Sequence, residues 1–522
     1  MSRRRLVLAA SLVGLVAAAP GVAAYVCHPD LQGTKRLTIH GGVGAYSLVA
    51  GEVSVSVRRD GVCSRIVWRP TASAVAERPG ACVTAHPMTT VVDGSRRIAV
   101  VRAPRNADRP DRINVYDRRT GSLLHSWPVF NRPLSLDVDG DTAVFTSAGR
   151  DGFYGLRLTD GRIGLVGVNQ RVDTPQIDAT GVVYQDDLYK RDDGKGRVVL
   201  KFVPRTAAER EIALGGKPIR TEGVVRDFSV DGQRVAIAVA DPKGICDQVL
   251  FWNLSWHYVS RLTSSTEATC SPGHGPGGIT KVALGGIAAE WVTTYGHTST
   301  VLSANIIACR EWVIARLQNG PAGDRLGGIS ADGGLLAYAI GRQERELRGQ
   351  AILGRVVRGG VRGQAIADGL GIPVAVSADS KRIATLRQDG TVDIRNRDGK
   401  TIGIARPNAP RAIALRTGLL AVLTGGHRLE LFDVATGRLI RSMSVPAGVR
   451  PAVDLHYGVA VLTAGSRVYG VDVSSGRTAL LARAPAPAKA QIEAPGVVYQ
   501  FNRAGHGFLR FIPFADVRSA LG

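Results

Sequence analysis

Three aspartates in the stretch SLDVDGD, Asp137, Asp139 and Asp141, alternate as the ligands of a calcium loop do. The same residues stand where SVDG (229–232) and SADG (330–333) stand elsewhere, and there an Asp side chain bonds its own backbone in a turn. The turn is the expectation. Asp186, Asp187, Asp192 and Asp193 lie in QDDLYKRDDGKG, where Lys190, Arg191 and Lys195 neutralise them, so a solvated hairpin loop is expected there. The ten histidines are scattered, no pair has metal-ligand spacing, and there is no CxxC, so neither a metal nor a cofactor is expected. The chain has no GxSxG elbow, HExxH, phosphate-binding loop or dinucleotide fingerprint. Catalytic residues are therefore not legible. An enzyme built from repeats draws its groups from separate units, and no linear motif marks them.

Six cysteines are an even set. Cys63 and Cys82 share one repeat-sized unit, and Cys246 and Cys270 flank an outer pair of strands, so these are the two expected disulfides, with Cys27 and Cys309 left over. The longest irregular stretch, SSTEATCSPGHGPGG (264–278), carries Cys270 and His274. It reads as a linker pinned by a disulfide, with a capping loop as the alternative. Trp252, Trp256, Trp291 and Trp312 surround it. Packing between units is their expected role, and an aromatic platform for a sugar or peptide is the alternative.

The elements that would position such groups recur every forty to fifty residues. A turn at Gly51, Gly94, Gly140, Gly181, Gly232, Gly285, Gly333, Ser380, Gly418, Gly458 and Gly496 precedes a short apolar run each time, among them RRIAVV, TAVFTS, RVAIAV and LLAVLT. A repeat of that length made of strands means radial blades. The clearest unit is 410–445, with PRAIAL, LLAVLT, RLELFDV and RLIRSMSV as four strands. The turn before its outer strand recurs as DRRTG, LTDG, NRDG and DVSSG. The fold class is therefore all-β, a β-propeller of about eleven four-stranded repeats.

QIDATGVVYQ (176–185) followed by RVVLKFVP returns as QIEAPGVVYQ (491–500) followed by FLRFIPF, seven turn intervals later. If this sequence closes a ring, 25–215 holds a first set of blades and 216–522 a seven-bladed ring, giving two lobes. One large or intertwined ring is the alternative. The last unit lacks an outer strand after Phe514, and the spare strand KRLTIHG (35–41) is expected to supply it, bringing the two ends of the chain together.

SVDGQRVAIAV (229–239), SADGGLLAYAI (330–340), SADSKRIATLR (377–387) and LFDVATGRLI (431–440) resemble the WD40-like and YVTN-type repeats of TolB-type exported bacterial propellers. The resemblance spans most of the chain and implies a fold unit rather than a site. The Gly-His and Trp-Asp pairs of eukaryotic-type WD40 blades are absent, as are the tryptophan-docking motifs of quinoprotein propellers.

The opening MSRRRLVLAASLVGLVAAAPGVAA has a basic start, an apolar run and small residues before a cut after Ala24, so 1–24 reads as a signal peptide with a partial twin-arginine likeness. Val26 before Cys27 does not fit a lipid-attachment site, and no later apolar run is long enough to span a membrane. The expected location is secreted or extracytoplasmic. The formal charge is +22. Its arginines are scattered rather than gathered in a tract, which points away from specific nucleic-acid binding and leaves attraction to anionic cell-envelope polymers. The function expected is a noncatalytic scaffold binding a protein, peptide or glycan. The alternative is a propeller lyase or hydrolase acting on a glycan, lactone or peptide.

Overall fold

The computed structural model describes residues 32–522 except for connecting stretches, the longest being 84–88, 103–110, 148–152, 168–174, 187–196, 242–246, 263–276 and 319–323. Its strands form eleven four-stranded sheets, each antiparallel and each drawn from consecutive strands apart from two. Hairpin turns make this order the simplest one. At Gly94, Gly140, Gly232 and Gly458 the backbone takes φ of 55°, 56°, 58° and 70°, where a side chain is unfavourable. In the second hairpin of a unit an Asp closes the turn: Asp433 Oδ1 accepts from Thr436 N at 2.8 Å and from its hydroxyl at 2.7 Å, and Asp117 holds Thr120 in the same way. The recurrent DxxTG is thus a turn device.

The two exceptional sheets are the copies of the QI(D/E)AxGVVYQ sequence, and each borrows a strand from earlier in the chain. Lys35–His40 pairs along Arg197–Pro204, from Lys35 opposite Phe202 to His40 opposite Arg197. The spare N-terminal strand therefore completes the first copy, not the last unit. The outer strand of the last unit is Ile219–Thr221, paired with His506–Pro513 through Ile219 opposite Leu509. This corrects the expectation that the two chain ends meet: each copy takes the first strand of its own set, because that strand immediately precedes the blades it closes.

The later set consists of seven sheets with inner strands Val225–Asp231, Gly277–Gly285, Asp324–Asp332, Ala375–Ala378, Pro410–Arg416, Val449–His456 and Ala488–Glu493, here called blades one to seven. Neighbouring inner strands touch in this order, and the seventh touches the first, so the seven close around an axis. The earlier set has four sheets. Its inner strands Gly42–Val49, Thr90–Asp93, Pro133–Asp139 and Gln176–Ile177 belong to them in turn.

Strand periodicity fixes what is buried. Glu52–Arg59 alternates, burying Val53, Val55 and Val57. Second strands in the ring, such as Leu419–Thr424, are buried on both faces because a blade lies on either side. Each such Val or Leu contributes about 1.5–3 kcal/mol on leaving water.

Each closing sheet is followed by a helix, which the strand pattern did not anticipate. The helix Arg205–Leu214 (α1) buries Ala207, Ala208 and Ile212, and Phe514–Leu521 (α2) buries Phe514, Val517 and Leu521, spaced to share one helix face. Both helices lie back against the blade before the closing one. Cys63 and Cys82 are joined by a disulfide with Cα atoms 5.3 Å apart. Cys27, Cys246, Cys270 and Cys309 fall outside the described residues.

Candidate binding site in the seven-bladed ring

The inner strands all run the same way along the axis, so equivalent positions form layers. Between them lies a cavity of about 550 Å³, lined by residues of every blade. Its entrance layer holds Lys281, Arg411, Arg450 and Lys489, from blades two, five, six and seven, with Asp227 from blade one. Lys281, Arg411 and Arg450 are exposed. Lys489 is half-buried, donating to the Arg226 carbonyl at 2.8 Å and lying 3.4 Å from Asp227. Asp227 is already engaged, since its Oδ2 accepts from Val282 N at 3.2 Å. The entrance is therefore net cationic.

Below the entrance the wall is made of small residues, including Ala283, Ser330, Ser377, Ala414, Ala452 and Ala490. The polar ones are tied between blades. Ser229 Oγ accepts from Leu284 N at 3.0 Å, Ser330 from Ala378 N at 3.0 Å and Ser377 from Leu415 N at 2.9 Å, while Asp454 Oδ2 accepts from Ile492 N at 2.8 Å. Gln491 closes the circle, accepting from Val230 N at 2.9 Å and donating to the Phe228 carbonyl at 2.9 Å. A side chain on one inner strand thus satisfies an amide of the next, which buried backbone needs. A serine that accepts in this way keeps its own hydrogen to donate. The cavity wall offers donors.

The far end is closed by Arg416, from blade five. Its guanidinium bonds Asp332 of blade three at 2.6 Å and also Glu493 of blade seven, spanning the axis. Burial alone would lower the Arg416 pKa, but the carboxylates of Asp332, Asp454 and Asp231 outweigh it and hold the charge in place. Burial, with Asp231 and Asp379 adding to it, pushes the Asp332 carboxyl up to about 6 against the pull of Arg416. His456 of blade six has Nδ1 3.5 Å from Glu493 Oε2, and burial followed by the Arg416 charge keeps it neutral. These groups convert the channel into a blind funnel with a guanidinium at its base.

The aspartates 137, 139 and 141 are brought to one turn but not to one point. Asp137 Oδ2 accepts from Ile177 N at 2.9 Å, Asp139 pairs with Arg205 at 3.0 Å, and Asp141 Oδ2 accepts from Thr159 at 2.8 Å. Among the described residues no group of three His, Cys, Asp or Glu side chains is placed to hold a metal ion. Trp252 and Trp291 are fully buried in separate packing clusters, the first with Val235 and Ile237, the second with Leu284 and Leu302, so neither offers a ring face to a ligand. Trp256, His274 and the acidic loop residues 187–193 lie outside the described residues. The funnel residues carry no linear signal. Stacking the repeats on their inner strands reveals them, because Asp231, Asp332, Arg416, His456 and Glu493 then fall at the same end.

No protein-family model matches the chain, and no curated protein matches its sequence. Similar solved structures include the computationally designed Ika8 protein, at 11% identity and TM-score 0.33, covering 75% of this chain and 94% of that one. A chain of a mitotic checkpoint complex is 12% identical with TM-score 0.42, covering 57% and 92%. A chain of a nidogen–laminin complex is 14% identical with TM-score 0.31, covering 43% and 81%. The propeller fold itself is read from the strand pairing.

Proposed function

We propose that the protein is a binding scaffold that receives a segment of a partner protein in the funnel of its seven-bladed ring, outside the cytoplasm. The observation that carries this is the cavity itself: about 550 Å³, open at one end, lined by all seven blades and walled by rigid strands rather than loops. Its size lies within the range of about 300–1,000 Å³ common to ligand pockets. Extracytoplasmic action is supported by the signal-like start and by the resemblance of the repeats to exported TolB-type propellers. A random peptide library panned on the full chain tests the binding. Peptides selected by the protein are expected to lose binding when Ala452→Trp fills the funnel, Ala452 being an exposed lining residue. Selected peptides indifferent to that change would place binding elsewhere.

A second reading, a hydrolase or lyase, draws on Asp332, Glu493 and His456, three titratable groups from three blades. Their carboxylates are occupied by Arg416, which favours a structural closure over catalysis. Turnover of a glycan, lactone or peptide panel by the wild type, lost in Asp332→Asn with binding retained, would reverse that preference.

A further inference from the structure

We infer that the funnel selects an acidic peptide segment, its carboxylates meeting Arg411, Arg450 and Lys281 at the entrance; this rests on the binding function proposed above and names its ligand chemistry. Three cations from blades two, five and six surround the opening, and the acid nearest them, Asp227, is held by a backbone amide and Lys489. Opposite charge is therefore left to the ligand. Deeper in, the hydroxyls of Ser229, Ser330 and Ser377 are fixed as acceptors toward the wall and present hydrogens to a ligand oxygen. At the base stands another cation, Arg416. Every layer thus favours an acceptor-rich, negatively charged occupant.

The wall distinguishes peptide from anionic sugar. The aromatic residue lining the funnel is Phe228, and it is buried in the core of blade one with Val235 and Trp252. No ring face is presented on which a sugar would stack. The alanine-lined bore suits a narrow, extended chain whose side chains reach the rim.

Fluorescence anisotropy of a labelled ten-residue peptide of alternating Glu and Ser, titrated with the full chain, tests this. Saturable binding is expected, weakened about tenfold or more both by the double substitution Arg411→Glu/Arg450→Glu and by raising salt from 50 to 500 mM. The equal charge change Arg438→Glu/Arg441→Glu, at exposed positions on the outside of blade five, is expected to alter it less than twofold. Equal losses from the two double variants would reduce the effect to overall charge and overturn the inference. Tighter binding of oligogalacturonate than of the peptide would overturn it in favour of a glycan. If library peptides blocked by Ala452→Trp prove neutral, the acidic preference falls while the binding function stands. If no peptide responds to Ala452→Trp, both fall. Circular dichroism of each variant separates these outcomes from misfolding.

Discussion

At the residue scale the ring's charged closure has a pH signature. The Asp332 carboxyl is raised to about 6 in the folded protein, whereas an unfolded Asp titrates near about 4. The folded state therefore binds this proton more tightly than the unfolded state. The stability it contributes is complete below about pH 4 and falls as pH rises through about 6. Differential scanning calorimetry between pH 5 and 7 is expected to show a falling transition temperature for the ring, with Asp332→Asn flattening the slope; an unchanged slope in the variant would refute the assignment. Glu211 on α1, buried and pushed up to about 7 by burial against the weaker pull of Arg210, behaves likewise. Glu211→Gln is expected to be neutral at pH 5 and stabilising by about 1–3 kcal/mol at pH 8.5, measured by urea denaturation. The opposite sign holds for Asp472, lowered to about 2 although burial opposes it, because Ser474 and Ser475 donate to it. Its contribution is present at neutral pH and is lost only as pH falls toward 2. Asp137 shows how such residues were legible. The alternation in SLDVDGD announced a turn, and the structure adds that the first Asp ties two blades together. Arg416 was not legible. It ends PRAIALR, an ordinary apolar strand, and acquires meaning only when three blades bring their ends to one axis.

Among the elements, the closing strands are the decisive ones, and short. Ile219–Thr221 has three residues, with Ile219 buried against Leu509, and Lys35–His40 has six, with Ile39 buried. Ile219→Ala and Ile39→Ala are each expected to cost about 2–4 kcal/mol through the cavity left behind. Hydrogen exchange resolved by peptide is expected to show faster exchange of 506–513 in the first variant and of 197–204 in the second, without crossover. Exchange spreading over both sets would contradict separate closure. The helices depend on equally local detail. A side chain at Gly164 would meet Ile212 N at 2.6 Å, so α1 rests on a strand stripped of its Cβ. Gly164→Ala is expected to destabilise by about 1–3 kcal/mol in urea melts, by pushing the helix away. The strands and their turns were readable because glycine and a two-residue alternation repeat eleven times. The partner of each edge strand was not, since many apolar strands fit many edges, and the helices were hidden because eight or ten residues after a strand carry too little periodicity.

For the whole molecule, the strand order separates the chain. No sheet among the described residues combines strands of 35–204 with strands of 219–513. A fragment spanning 216–522 is accordingly expected to fold alone, showing a cooperative melt and the same peptide affinity as the full chain. A fragment that stays unfolded at neutral pH would show that the ring needs the preceding blades. The internal sequence match at 176–185 and 491–500 pointed to where each set ends, because both copies perform the same mechanical task of accepting an outer strand. No helix among the described residues is long and apolar enough to cross a membrane.

The two strand closures also set an order of manufacture. The ribosome delivers Lys35–His40 first and its partner Arg197–Pro204 well before the chain is finished, so the earlier blades can be sealed during synthesis. The later ring cannot. Ile219–Thr221 must wait for His506–Pro513, nearly the last residues translated, and six blades stand with an open edge until then. A premature stop anywhere in the final blade therefore leaves a sealed first unit joined to an unsealed, self-adhesive second one.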